Sequence, residues 1–220
     1  MALPIEPTLG AIVRFRGRFE QEWKGAPFGA EEVLVEESGP SFMFQVRSFD
    51  YRSSQRTRWK LEAEGSSLLR AQADSDGTTG RARIVVERDG EDVLVRGSLL
   101  SGDEATVKHR WSTSAILGPD RMLASWVAIS PRLAALAVGA ETSLEMGILR
   151  FGSAAEIEDT PVHVTRLADE LLPNRATPAR AFEIAPRVGR KSRLWLDERG
   201  WPIRYEVEAY GSTVRYDRVE

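Results

Sequence analysis

Arg193-Leu194-Trp195-Leu196-Asp197-Glu198-Arg199-Gly200-Trp201-Pro202-Ile203-Arg204-Tyr205-Glu206-Val207-Glu208-Ala209-Tyr210-Gly211-Ser212-Thr213-Val214-Arg215-Tyr216 reads as three strands parted by two turns. The turns fall at Glu198-Arg199-Gly200 and Tyr210-Gly211-Ser212, where glycine supplies the positive φ that a tight reversal needs. Successive strand side chains point to opposite faces. Ile203, Tyr205, Val207 and Ala209 are therefore expected on one face of the middle strand, with Arg204, Glu206 and Glu208 on the other. One apolar and one charged face is the pattern of an antiparallel sheet with one side on a core and the other in water.

The same rhythm extends upstream. Val13, Phe15 and Phe19 alternate with Arg14, Arg16 and Arg18 between Ile12 and Trp23. Gly25 to Gly29, containing Pro27, reads as a break, and Val33-Leu34-Val35 as a short strand. Alternation resumes at Phe42, Phe44 and Val46, and again at Trp59, Leu61 and Ala63. Asp74-Ser75-Asp76-Gly77 and Arg88-Asp89-Gly90 read as turns around the β-branched runs Ile84-Val85-Val86 and Val93-Leu94-Val95. Val107, His109 and Trp111 make one further strand, and Leu144, Met146, Ile148 and the run Val162 to Thr165 continue the pattern. Residues 168–181 read as a loop or frayed helix.

Residues 120–139 also depart from it, being rich in Met, Leu and Ala. Ser130 as N-cap, Pro131 as first helical residue and Gly139 past the last turn predict a helix over about 131–138, with a second over about 120–129. Leu133, Leu136 and Ala137 would then face the core. With no linker or composition shift, the expectation is one mainly β domain spanning 1–220, with a helical insertion at about 120–138.

Composition narrows the chemistry. The 220 residues are 42% hydrophobic and 29% charged with no cysteine, which excludes disulfide-rich, collagen-like and disordered classes. A net charge of −3 argues against a nucleic-acid binder. Only four of the 30 basic residues are lysine, but the arginines are scattered and read as a compositional bias. Arg14, Arg16 and Arg18 would share the outer face of the first strand, yet Glu20 and Glu22 continue that face, so it reads as solvated charge. Residues Met1 to Pro7 show no basic region followed by an apolar run, so the sequence reads as cytoplasmic. A periplasmic chain shorn of its leader would read the same way. No apolar stretch approaches the ~20 residues of a membrane-spanning helix.

Catalytic and metal motifs are missing. The two histidines, His109 and His163, stand in neither His-x-Glu nor His-Glu-x-x-His settings. Asp74-Ser75-Asp76-Gly77 resembles the opening of a calcium loop, but Arg83 stands where the bidentate glutamate belongs. There is no Gly-x-Ser-x-Gly elbow, dinucleotide fingerprint or P-loop. Adjacent carboxylates such as Glu31-Glu32, Glu36-Glu37 and Asp197-Glu198 point to opposite faces of a strand or sit in turns. No catalytic residue, metal ligand or cofactor is therefore assigned.

What remains is aromatic: Trp23, Trp59, Trp111, Trp126, Trp195 and Trp201, with eight Phe and four Tyr. Trp195 is singular, because Leu194 and Leu196 take the opposite face and leave its ring to cover a second layer or line a binding surface.

Leu194-Trp195-Leu196-Asp197-Glu198-x-Gly200-x-Pro202-Ile203, followed by a strand and Gly211-Ser212-Thr213-Val214, resembles the closing hairpins of uncharacterised bacterial domains related to the LolA/LolB lipoprotein carriers. The resemblance covers about thirty residues. It implies a single strongly curved antiparallel sheet, a half-barrel, with one or two short helices over its concave face. It carries over no functional residue, because nothing beyond the hairpin is matched.

The functional expectation is a non-enzymatic module holding a lipid-like or other hydrophobic ligand in that concave face, with Trp59, Trp111, Trp126, Trp195 and Tyr205 as ligand-binding candidates. The alternatives are a protein-interaction or structural module and, behind it, an enzyme pairing His109 or His163 with a carboxylate brought from a distant strand.

Overall fold

Lys24 and Gly25 both adopt positive φ, 53° and 77°, so β1 (Ile12–Trp23) reverses in two residues and continues as β2 (Ala26–Ser38). The expected break at Gly25 to Gly29 is thus confined to its first residue. Pro27 and Gly29 lie inside β2, and Pro27 pairs with Glu22 where the register slips, a position that tolerates the missing N–H.

The computed structural model describes residues 5–64, 67–78, 80–111, 116–119, 123–151, 154–173, 175–186, 190–209 and 211–219. Hairpin follows hairpin through β3 (Ser41–Asp50), β4 (Arg56–Glu64), β5 (Ser67–Gly77), β6 (Gly80–Asp89), β7 (Asp92–Ser98) and β8 (Glu104–Arg110). Asp74 to Asp76 are strand residues of β5 rather than a turn, and the reversal comes after Gly77, with Gly80 at φ 117°. Beyond β8 come β9 (Ile116–Pro119), the helix α1 (Ala124–Ala134), β10 (Glu141–Phe151), β11 (Ala155–Arg166), β12 (Arg180–Pro186), β13 (Ser192–Leu196), β14 (Pro202–Ala209) and β15 (Ser212–Arg218). Residues 167–173 and 175–179 are loop, tied by a bridge between Glu170 and Ala179.

Among the described residues these strands make one sheet, ordered β8-β7-β6-β5-β4-β3-β2-β1-β15-β14-β13-β12-β11-β10-β9. Every neighbouring pair is antiparallel except β9 with β10. The sheet curls so that its first half meets its second without backbone pairing between β8 and β11. His109 Nε2 lies 3.1 Å from Asp159 Oδ1, and the Trp111 ring covers Gly147 so closely that a Cβ there would come within 2.4 Å of it. The curved, mainly β architecture expected from the sequence is present, as an open barrel sealed by side chains.

The concave side holds the core. Phe19, Val33, Ile84, Val95, Val164, Phe182 and Leu194 are fully buried there around α1. The convex side carries two patches of cover. Ile5 and Thr8 lie along β2, their backbone N–H groups donating to Glu32 and Glu36. The 167–179 loop buries Trp195, Ile203, Ala181 and Leu172. Ile203 therefore does not share a face with Tyr205 as simple alternation predicts. Leu196 pairs with Pro202 and Trp195 with Arg204, leaving Ile203 as the extra residue of a bulge. Tyr210, in the last expected turn, lies outside the described residues.

The helical segment also departs from expectation. One helix is described, and residues 120–122 of the expected second lie outside the described residues. Ser130 and Pro131 are in its interior rather than at its start. Pro131 has no N–H for the Val127 carbonyl. The buried Ser130 hydroxyl donates to that carbonyl at 3.0 Å instead, so the helix passes through the proline. Leu133 and Leu136 pack on the core as expected, but Ala137 is exposed past the helix end. Gly139 does take positive φ, 81°, in a separate turn whose N–H donates to Arg166.

Candidate functional site

α1 does not fill the concavity. Between its face carrying Val127, Ala128, Pro131 and Arg132 and the strands β2 to β5 lies a cavity of about 460 Å³. That volume falls within the ~300–1,000 Å³ of small-molecule sites. Its walls are apolar: Val35, Phe42, Phe44, Leu61, Ala63 and Leu68 from the strands, Leu117 from β9, and Trp201 just ahead of β14. Trp201 is held in place by stacking on Phe15, with ring centroids 4.8 Å apart and planes inclined by 24°.

Two bulges shape this end of the sheet. Val13 pairs with Glu36 and Phe15 with Val35, so Arg14 is an extra residue and leaves the row it would share with Arg16 and Arg18. It turns instead to the rim of the cavity, where its guanidinium pairs with Glu37. Glu37 shares the face of Val33 and Val35 by strand parity, and it lies opposite Phe42. Arg16 and Arg18 stay on the solvated side with Glu32 and Glu20, at 3.3 and 2.7 Å. On β5 a slip between Glu62 and Ala63 pairs Ala63 with Leu68, so that Leu68 lines the cavity while Leu69 is exposed.

The cavity wall carries two ionisable side chains, both arginine. Arg14 is neutralised by Glu37, whose proximity raises the guanidinium pKa still further. Arg132 is exposed at the rim and, among the described residues, no carboxylate pairs with it.

None of the five aromatic candidates lines this cavity. Trp59 is buried in the core on β4, and Trp111 is packed against Gly147, with its indole N–H lacking a partner among the described residues. Trp126 and Tyr205 do come together, with centroids 5.9 Å apart, and Tyr216 lies 5.6 Å beyond Tyr205. Burial pushes the Tyr205 phenol above its ordinary pKa, while hydrogen bonds with Ser192 and Trp126 act the other way. Trp195 is on the convex side, its indole N–H donating to Glu170 Oε2 at 2.9 Å. Of the cavity residues, Val35, Phe42, Phe44, Leu61, Ala63 and Trp201 were legible as strand or aromatic positions. Arg14 was expected in the solvated row with Arg16 and Arg18, and Arg132 carried no sequence signal that set it apart from the other arginines.

The histidines lie elsewhere. His109 faces Asp159 at the meeting of β8 and β11, and His163 Nδ1 lies 2.9 Å from Ser143 Oγ on an exposed cross-strand pair. Among the described residues there is no group of three His, Asp or Glu side chains fit to hold a metal, and no helix long and apolar enough to cross a membrane.

No family model matches the chain, and no curated protein matches its sequence. In fold it is similar to a crystal structure of a beta-barrel-like protein of the domain of unknown function DUF1849 from Brucella abortus. The two share 8% identity at a TM-score of 0.60, over 93% of this chain and 95% of that one. A DUF1089 family protein from Pseudomonas aeruginosa aligns over 92% of this chain and 95% of its own, with 15% identity and a TM-score of 0.48. The first likeness establishes a β-barrel-like fold.

Proposed function

We propose that this protein is a non-enzymatic binding module that holds a hydrophobic, lipid-like small molecule in the cavity beside α1. The observation that carries this reading is the cavity itself, about 460 Å³ of space walled by Phe, Leu, Val and Ala side chains. A hollow of that kind exposes apolar surface to water, and a ligand that fills it recovers roughly 25 cal/mol for each Å² removed from solvent. The likeness of the closing hairpins to those of uncharacterised domains related to lipoprotein carriers supports the same reading. Relative to the sequence reading, the proposed site moves from the five aromatic candidates to the cavity between α1 and strands β2 to β5.

Native mass spectrometry of freshly purified protein tests the proposal. The expected result is a co-purified hydrophobic molecule, or a rise in melting temperature with members of a fatty-acid and glycolipid panel. No bound species together with no thermal shift across the panel overturns it.

A further inference from the structure

We infer that the cavity selects an anionic amphiphile with one charged head, its apolar chain against Phe42, Phe44 and Leu61 and its carboxylate on Arg132. This rests on the binding reading above and adds the charge and placement of the head group. Three observations combine. The interior of the cavity is apolar, so it offers a head group no polar partner at depth. Both ionisable side chains on its wall are cationic, which disfavours a cationic head. Glu37 takes the charge of Arg14, whereas among the described residues no carboxylate meets Arg132.

The guanidinium of Arg132 is thus a planar, permanently charged fork at the mouth of an apolar hollow, suited to a bidentate carboxylate. Among the described residues one arginine on the cavity wall lacks a carboxylate partner, which matches one negative charge. Ala128, Pro131 and Arg132 share one face of α1 and line the cavity together, so a chain lying along that face would leave its head level with Arg132.

The experiment compares dodecanoate with 1-dodecanol at pH 8, below their aggregation limits, by calorimetric titration of the whole chain. The two probes share a tail and differ in head charge. Dodecanoate is expected to bind roughly tenfold tighter, the scale of a charge-assisted hydrogen-bond pair. Arg132→Gln should remove most of that preference and Arg132→Lys should keep part of it. Glu37→Gln, by freeing Arg14, should tighten dodecanoate binding further. Equal affinity for the two probes in the unmodified protein overturns the inference and leaves the cavity reading standing. So does an equal loss of both in Arg132→Gln, which assigns the residue to helix packing. If Arg132→Gln does not fold, the comparison in the unmodified protein and the Glu37→Gln arm decide it. Failure of both probes to bind overturns the cavity reading and this inference together.

Discussion

Glu31, fully buried on β2, accepts a hydrogen bond at 3.3 Å from the backbone N–H of Leu123, the residue that caps the start of α1 and lies 92 positions along the chain. At the other end of the helix Arg180 donates to the Ala134 carbonyl at 3.1 Å. The sheet thus sets a hydrogen-bond acceptor at the helix N-terminus and a cation at its C-terminus, in the sense the helix dipole favours. α1 has no acidic residue in its own first turn and no side-chain cap, so this complement comes from the sheet. Glu31→Ala should lower unfolding free energy by about 1–3 kcal/mol. Arg180→Met should cost less, on the order of 0.5–1 kcal/mol. Urea denaturation followed by tryptophan fluorescence reads both, and a neutral Glu31→Ala would show that the helix holds its place without this contact.

Ser130 and Pro131 should be coupled. Ser130→Ala alone leaves the Val127 carbonyl without a donor in a buried position, at a cost of about 1–3 kcal/mol. Pro131→Ala restores a backbone N–H at the position that would serve that carbonyl. A double-mutant cycle is therefore expected to show Ser130→Ala about 1 kcal/mol milder in the Pro131→Ala background. Additive effects would mean that the hydroxyl does not stand in for the missing N–H.

The overlap that seals the sheet rests on a missing side chain. A Cβ on Gly147 would meet the Trp111 ring at 2.4 Å and the Ile157 side chain at 3.2 Å. Gly147→Ala is predicted to destabilise the fold by about 1–3 kcal/mol through overpacking. The Trp111→Leu background should recover part of that loss. Thermal denaturation of the three variants checks both statements.

Cavity filling separates binding from folding. Ala128 faces the cavity from α1 and is only partly buried, so Ala128→Phe can occupy the hollow without displacing the core. The expected outcome is a melting temperature equal to or above that of the unmodified protein, with loss of dodecanoate binding. Retained binding at full affinity would place the ligand elsewhere.

The Tyr205 phenol has a folded pKa above its ordinary value of 10.0, chiefly through burial. A group protonated more firmly in the folded state gives stability that is complete below the unfolded pKa and is lost as pH rises through the folded one. The protein should therefore weaken as pH climbs above about 10, and Tyr205→Phe should flatten that part of the decline. At neutral pH the same variant forfeits the hydrogen bonds with Ser192 and Trp126, for about 0.5–1.5 kcal/mol. Parallel curves of melting temperature against pH for the two proteins would refute the assignment.

The strand rhythm was readable because period-two alternation is local. Val13, Phe15 and Phe19, or Trp59, Leu61 and Ala63, declare strands whatever they pair with, and the scarcity of histidine and lack of cysteine removed motif-based chemistry at the same stage. The helix was legible in existence but displaced in extent. Ser130-Pro131 carries the local marks of a helix start, and only the side-chain bond from Ser130 to Val127 lets the helix run through it.

The composition of the site was decided by tertiary structure. A bulge adds one residue to one strand and reverses which face the next side chain takes, without any mark in the hydrophobic pattern. That is how Arg14 reached the rim of the cavity, how Leu68 came to line it, and how Ile203 left the face of Tyr205. The position of α1 inside the curve depends on residues as remote as Glu31 and Arg180, whose effect no window along the chain contains. Local alternation therefore specified an antiparallel sheet with one apolar face, and its curvature was expected only from the resemblance of the closing hairpins. Bulges and long-range polar contacts decided which part of that face stayed open and brought Arg14 to its rim.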